Sequence, residues 1–147
     1  ILGRSIAILV ADGSDAAAVA KMTKAIEGAG ARAVIVAPKV GGAKMSDGSL
    51  LKADAQLAGY PSVMADAVVI ALSKEGTAML LKEGTAVQFV MDAFAHLKAI
   101  AASDAALPLL DKAGVVPDAG GMGLDDGFIA AAAKRYWDRE PRVRMLP

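Results

Sequence analysis

The strongest candidate for chemistry in this chain is a serine–aspartate pair that follows a short apolar stretch. Ser103 and Asp104 come directly after residues 99–102. An apolar strand that runs straight into a helix aims a side chain over the carboxyl end of a sheet, where α/β proteins usually build their sites. With alanines on both sides, Ser103 lies in a softened form of the small-x-Ser-x-small nucleophile elbow. A thiol would be more informative there, but the chain contains no cysteine, which excludes disulfides and thiolate metal sites.

A serine nucleophile also needs a base, and His96 is the only histidine of the chain. His96 precedes the predicted strand, whereas Ser103 follows it. Five or so strand residues at ~3.3 Å each separate them by roughly 16 Å, but a nucleophile and its base must lie about 3 Å apart. We therefore predict no catalytic residue. Ser103 is interpreted as a helix N-cap, and His96 as a helix end, where a partly positive imidazole suits the helix dipole.

Three carboxylates and two tyrosines offer weaker alternatives. Asp12, Asp15 and Asp104 could meet at the carboxyl ends of adjacent strands, where a cation site or an acid–base pair is conceivable. Helix capping explains the same residues, and we favour it. Tyr60 and Tyr136 could in principle ligate haem iron, but packing or surface roles are favoured for both. We therefore predict no cofactor-binding or metal-binding residue in this chain.

Composition excludes several classes of partner. Sixteen basic and sixteen acidic residues cancel, so no electrostatic footprint for nucleic acid or anionic lipid is expected. Apolar runs such as residues 67–72 are far shorter than the ~20 residues of a membrane helix. No signal peptide is visible, and we expect a cytoplasmic protein. A length of 147 residues predicts one domain, residues 1–147, with residues 139–147 as an extended tail. Because the chain starts at Ile1 rather than Met, we expect a piece of a larger protein.

Apolar runs alternate with helical patterns along the chain. Strands are predicted at residues 5–11, 33–37, 66–71 and 99–102, with a short edge strand at 114–116 and a loop at 117–123. Thr85 and Gln88 have the spacing of a capping box at the start of a helix, and Asp47-Gly48 predicts a small hairpin. A last helix is predicted from Asp125 to Tyr136. This alternation predicts an α/β fold with a mostly parallel sheet covered by helices on both faces.

The strand motifs and the closing segment resemble a known family. The residues that carry the resemblance are 4–13, 66–70, 95–102 and 136–141, the last reading Tyr-Trp-Asp-Arg-Glu-Pro. They look like the C-terminal domain of bacterial large-subunit catalases, and the closing motif makes the match more specific than the strands alone. The resemblance implies a glutamine-amidotransferase-like, flavodoxin-like three-layer sandwich. It also implies a homotetrameric parent that decomposes hydrogen peroxide with haem, held in a catalase core upstream of this segment.

Compared with active members of that superfamily, this chain lacks the residues that do chemistry. The resemblance places the elbow cysteine on Asp104, or on Ser103 if the alignment slips by one. It places the acid of the first helix near Ala17 or Ala18, and the glycine pair after the third strand on Leu72 and Ser73. Each departure removes a function: the thiolate, the group that tunes it, and the glycine-lined approach for an oxyanion. Ser103 and Asp104 are therefore interpreted as a remnant elbow position.

These observations lead to three hypotheses about function. The first is a non-catalytic accessory domain of a large-subunit catalase, which packs on the catalase core of the same chain and on sister subunits. The second is a chaperone-like holdase that binds unfolded client proteins through an aliphatic surface groove. The third is a stand-alone superfamily enzyme that acts on small carbonyl compounds.

Overall fold

The structure is a computed structural model that describes residues 2–115, 121–124 and 127–133. Its helices are Ala16–Gly28 (α1), Lys74–Leu80 (α2), Gly84–Ala95 (α3), Leu107–Lys112 (α4) and Gly127–Ala132 (α5). Its strands are Ser5–Leu9 (β1), Arg32–Ala37 (β2), Ala43–Lys44 (β3), Leu50–Leu51 (β4), Ala55–Gln56 (β5), Ala67–Ile70 (β6), Ile100–Ala102 (β7) and Gly121–Met122 (β8). Single 3₁₀ turns occupy Leu57–Gly59, Ser62–Met64 and Asp104–Ala106.

The main sheet is parallel throughout the part of the chain that the structure describes. Its strand order is β5-β2-β1-β6-β7-β8. Apart from the short β5 at the edge, this is the flavodoxin-like order, in which the chain reverses its direction of growth between β1 and β6. The predicted parallel α/β sheet is thus confirmed, and the crevice in which such folds usually bind ligands should open at the carboxyl ends of β1 and β6.

Helices cover both faces of the sheet, as the continuous apolar strands predict. On one face, Phe89, Val90 and Phe94 of α3 join α2 and α4 against inward residues such as Leu9 and Ile70. On the other face, α1 and α5 pack on the alternate strand residues, and fully buried Phe128 lies among them. Because successive strand residues point to opposite faces, each buried strand supplies both layers of the core.

The predicted hairpin around Asp47-Gly48 is confirmed as an antiparallel pair of β3 and β4. Asp47 accepts hydrogen bonds from the backbone N–H and the hydroxyl of Ser49, at 2.9 and 2.5 Å. Gly42 precedes the hairpin with φ of +102°, and a Cβ at that position would lie 2.0 Å from the carbonyl oxygen of Leu51. Glycine is therefore required where the chain enters the hairpin.

Three local predictions were wrong. The capping box fails because α3 begins at Gly84, one residue before Thr85, and its N-cap residue Glu83 makes no side-chain capping bond. Gly114 and Val115 are not a strand: Gly114 has φ of +79° and closes the turn after α4. The edge strand is instead β8, within the segment predicted as a loop. It pairs with β7, and pairing with a neighbour is a tertiary property that local composition does not encode.

Other predictions fall partly or wholly outside the described residues. The last predicted helix is confirmed over Gly127–Ala132, but Asp125, Asp126 and Tyr136 are not described, and neither is the predicted tail at residues 139–147. Within the described segments, no helix is both long and apolar enough to cross a membrane.

Candidate functional site

The elbow after β7 holds Ser103 in a relaxed conformation. Its backbone has φ of −67° and ψ of 153°, and among the described non-glycine residues only Leu97 has a positive φ. A nucleophile elbow depends on a sharp, strained strand-to-helix turn that pushes its side chain outward. That strain is absent at both Ser103 and Asp104. The backbone therefore does not present either side chain as a nucleophile.

The hydroxyl of Ser103 turns back into the protein. Its Oγ accepts a hydrogen bond from the backbone N–H of Leu72 at 3.1 Å and donates one to the carbonyl oxygen of Leu72 at 2.7 Å. The predicted role as a helix N-cap was wrong in its detail, because Ser103 has the N-cap position of the 3₁₀ turn but makes no capping bond. Instead it joins the end of β7 to the end of β6. The N–H of Leu72 is therefore not available to an oxyanion.

Two further serines bond the segments that follow β1 and β6, where the crevice is expected. Buried Ser14 donates its hydroxyl to the carbonyl oxygen of Ala71 at 2.6 Å and accepts the N–H of Ala11 at 3.1 Å. Ser73 caps α2 by accepting the N–H of Gly76, and its Oγ would lie 2.8 Å from a Cβ built on Gly13. Ser14, Ser73 and Ser103 thus direct their hydroxyls into internal hydrogen bonds at the edge where this topology usually receives a ligand.

Helix capping, favoured over a cation site for Asp12, Asp15 and Asp104, is confirmed for Asp15 and wrong for Asp12, which bonds β3 and Lys39 instead. Asp104 does not hold the N-cap position of its 3₁₀ turn, which belongs to Ser103. Asp15 caps α1 by accepting the N–H of Ala18 at 3.0 Å, as predicted. Asp12 accepts hydrogen bonds from the backbone N–H of Lys44 at 3.0 Å and from the ammonium group of Lys39 at 2.9 Å. The bond from Lys44 first, and then the bond from Lys39, lower the pKa of Asp12 below its ordinary value. Within residues 2–115, 121–124 and 127–133, no cluster of three His, Cys, Asp or Glu residues could hold a metal ion.

Asp104 lies at a shallow depression rather than in an enclosed pocket. The depression has a volume of about 340 Å³ and is bordered by Lys74, Thr77 and Pro108 as well as Asp104. Lys74 and Asp104 are exposed, whereas the hydroxyl of Thr77 is buried without a hydrogen-bond partner among the described residues. The side chains around this depression include no imidazole or thiol. The hydroxyl of Thr77 is hydrogen-bonded to neither Lys74 nor Asp104, so it is not paired with a base.

Neither His96 nor Tyr60 lies in a position to assist the elbow. His96 ends α3 before β7 begins, and its exposed ring has Nδ1 2.7 Å from the carbonyl oxygen of Asp92. The predicted helix-end position is confirmed. Tyr60 belongs to the core cluster on the α3 side, and burial raises the pKa of its phenol. A neutral buried phenol is a poor ligand for haem iron, which takes tyrosine as phenolate.

Comparison with known proteins decides the family. Residues 2–139 match the family described as the C-terminal domain found in long catalases. The chain belongs to this family. The resemblance inferred from the strand motifs and the closing segment is thereby confirmed.

The curated relatives of this catalase C-terminal domain are much longer than the chain. "Catalase C" of Rhizobium meliloti is 42% identical over 151 residues, which cover 97% of this chain and 21% of that protein. "Catalase HPII" of Pseudomonas putida is 35% identical over 153 residues, which cover 100% of this chain and 21% of the relative. The chain therefore spans about a fifth of the length of these relatives.

Solved structures support the fold at low sequence identity. Drosophila melanogaster DJ-1beta superposes with a TM-score of 0.76 at 17% identity, covering 98% of this chain and 97% of that chain. Oxidized Toxoplasma gondii DJ-1 superposes with a TM-score of 0.72 at 16% identity, covering 97% of each chain. These likenesses show a shared architecture for the catalase C-terminal domain, and the flavodoxin-like α/β prediction is confirmed.

Sequence reasoning missed a buried lysine at the opposite edge of the sheet. Lys98 is only 4% exposed, and its ammonium group donates to the carbonyl oxygens of Ser62, Val63 and Ala65. The signal in the sequence was a cation placed directly before the apolar run 99–102. Because a buried ammonium must be hydrogen-bonded, such a residue predicts a set of backbone acceptors nearby.

Proposed function

We propose that this chain is an accessory domain without turnover of its own, attached to a large-subunit catalase that decomposes hydrogen peroxide. The observation that carries this proposal is the hydroxyl of Ser103, which bonds both backbone groups of Leu72 instead of facing outward. Membership of the catalase C-terminal domain family and the coverage of about a fifth of each relative support the attachment. Residues 1–147 form one domain in this proposal, and the catalase core precedes it.

The haem of the parent belongs to that core. Among the described residues of this chain, Tyr60 is buried in an aliphatic cluster and His96 contacts its own helix at the surface. Neither borders the depression beside Asp104 or the groove between α1 and the β3–β4 hairpin. The residues described here therefore do not fit haem, and no step of peroxide decomposition passes through them. In the cytoplasmic homotetramer that we propose, the domain covers surface of its own core and of sister subunits, and it extends the route to the buried haem.

The test is a titration of the purified chain with haem, followed by a peroxide assay. We expect no stoichiometric Soret band that differs from free haem, and no oxygen evolution above a matched protein blank. Stoichiometric haem binding with peroxide turnover would refute the proposal.

A second candidate function is favoured by one surface feature. An open groove of about 460 Å³ runs between α1 and the β3–β4 hairpin, with Val19, Met45 and Leu51 among its apolar side chains. Such a groove could bind the apolar segments of unfolded proteins, as a chaperone-like holdase does. The test is light scattering of a heat-denatured client with the chain in several-fold molar excess. Suppressed aggregation would support a holdase, and an unchanged aggregation rate would remove it.

A further inference from the structure

Exposed apolar side chains collect at the edge of the sheet where its strands begin. Leu2 is 84% exposed, Val63 is 52% exposed and Met64 is 61% exposed. Leu2 lies against Gly30 just before β2, whereas Val63 and Met64 lie on the 3₁₀ turn just before β6. The two sites flank the start of β1, which pairs with both strands. We call Leu2, Val63 and Met64 the amino-edge patch.

The turn that carries Val63 and Met64 is held from beneath by a buried cation. The ammonium group of Lys98 donates to three carbonyl oxygens of this turn and its flank, those of Ser62, Val63 and Ala65. Desolvating an ammonium group is unfavourable, and here its hydrogen bonds go to a turn on which Val63 and Met64 are exposed while Ser62 is buried. Apolar anchors that are rigid before binding lose less conformational entropy when they dock.

Two arginines lie beside the Leu2 side of the patch. Arg4 and Arg32 are exposed at the beginnings of β1 and β2. Apolar anchors within a rim that includes arginine are typical of protein–protein interfaces.

The direction of the chain selects the occupant. Any polypeptide that precedes β1 must reach Ser5 at this edge, between the two halves of the patch. This family is the C-terminal domain of long catalases, and about four fifths of each relative lies outside the matched segment. From the proposed function we infer that the amino-edge patch is the surface on which the upstream catalase core of the same chain docks. Val40 and Leu50, which are exposed on the connection between β2 and β5, lie outside this patch.

The test uses thiol labelling in the full-length catalase that carries this domain. Because the domain has no cysteine, Met64→Cys and Leu50→Cys each introduce a single thiol that peptide mass spectrometry can locate within it. The two positions are matched controls, since Met64 is 61% and Leu50 is 65% exposed in the domain alone. The rate at which maleimide labels each thiol in the native protein is divided by the labelling rate of the same thiol in urea, which corrects for its intrinsic reactivity. We expect Met64→Cys to be slower than Leu50→Cys by at least about tenfold, because a docked surface reacts only through local opening.

The outcomes separate this inference from the proposed function. Protection of Leu50→Cys with fast labelling of Met64→Cys would keep the accessory role but overturn the choice of surface. Fast labelling at both positions would overturn the docking and would also count against a domain packed on the core. Protection of Met64→Cys that disappears when the subunits dissociate on dilution would place a sister subunit, rather than the core of the same chain, on the patch, and it would likewise overturn the inference.

Discussion

Replacing Ser103 by alanine removes a hydroxyl that joins the ends of two adjacent strands. The N–H of Leu72 then loses its acceptor, and Leu72 is only 3% exposed, so water cannot fully replace the bond. A buried backbone donor without a partner is destabilising by about 1–3 kcal/mol. Because Ser103 itself is half-buried, some water reaches the gap. We therefore expect a loss of about 1–2 kcal/mol in the free energy of unfolding.

Urea unfolding followed by circular dichroism measures this loss. For a chain of this length, each kcal/mol lowers Tm by about 2–4 °C, so thermal unfolding should show a decrease of roughly 2–8 °C. Ser49→Ala is the matched control, since its exposed hydroxyl bonds only Asp47, and its effect should stay within about 0.5 kcal/mol. Equal stabilities for Ser103→Ala and the wild-type chain would refute the bridging role of this hydroxyl.

Three other variants test separate parts of the structure. Gly42→Ala should destabilise the chain by about 1–3 kcal/mol in urea unfolding, because Gly42 has a positive φ and an added Cβ would clash with Leu51. The control is Gly41→Ala, whose Cβ would point into open space and should leave stability nearly unchanged. Equal losses of stability for the two variants would contradict this. The pKa of Asp12 is lowered by its bonds to Lys44 and Lys39, so its stabilising contribution is present above the unfolded pKa and is lost as pH falls through the folded one. Asp12→Asn should therefore reduce the loss of unfolding free energy below about pH 4, by less than ~1 kcal/mol because this carboxylate is 43% exposed. An unchanged dependence of stability on acid pH would contradict this expectation. Burial raises the pKa of Tyr60, so the contribution of its neutral phenol to stability is complete below the pKa of the unfolded state and is lost as pH rises through the pKa of the folded state. Tyr60→Phe should therefore reduce the loss of stability above about pH 10. Identical alkaline unfolding curves for the variant and the wild-type chain would contradict this.

The architecture could be predicted because its signals are local and repeated. Continuous apolar runs predicted the buried strands β1, β2, β6 and β7, and the Asp47-Gly48 dipeptide predicted the hairpin. The short strands β5 and β8 carry no such signal, because each has two residues and depends on its neighbour for pairing. The start of α3 was misplaced for a similar reason: a capping pattern states a preference, and packing decides where the helix begins.

The candidate site was predicted in part. The lack of a workable base for Ser103 followed from the order of His96, strand and serine along the chain. The hydroxyl's actual partner did not, because Leu72 lies 31 residues earlier and meets Ser103 only through the pairing of β6 with β7. Ser14 and Lys98 were missed for the same physical reason: their acceptors are backbone carbonyls, and sequence patterns do not show which carbonyls come near a side chain.

The most direct test of the central claim, that the elbow no longer performs chemistry, is peptide mapping by mass spectrometry after treatment with excess p-nitrophenyl acetate or a reactive aldehyde. The account predicts slow modification of exposed lysines only, with the peptide containing Ser103 and Asp104 unmodified. A rapid, near-stoichiometric adduct on either of these two residues would contradict it.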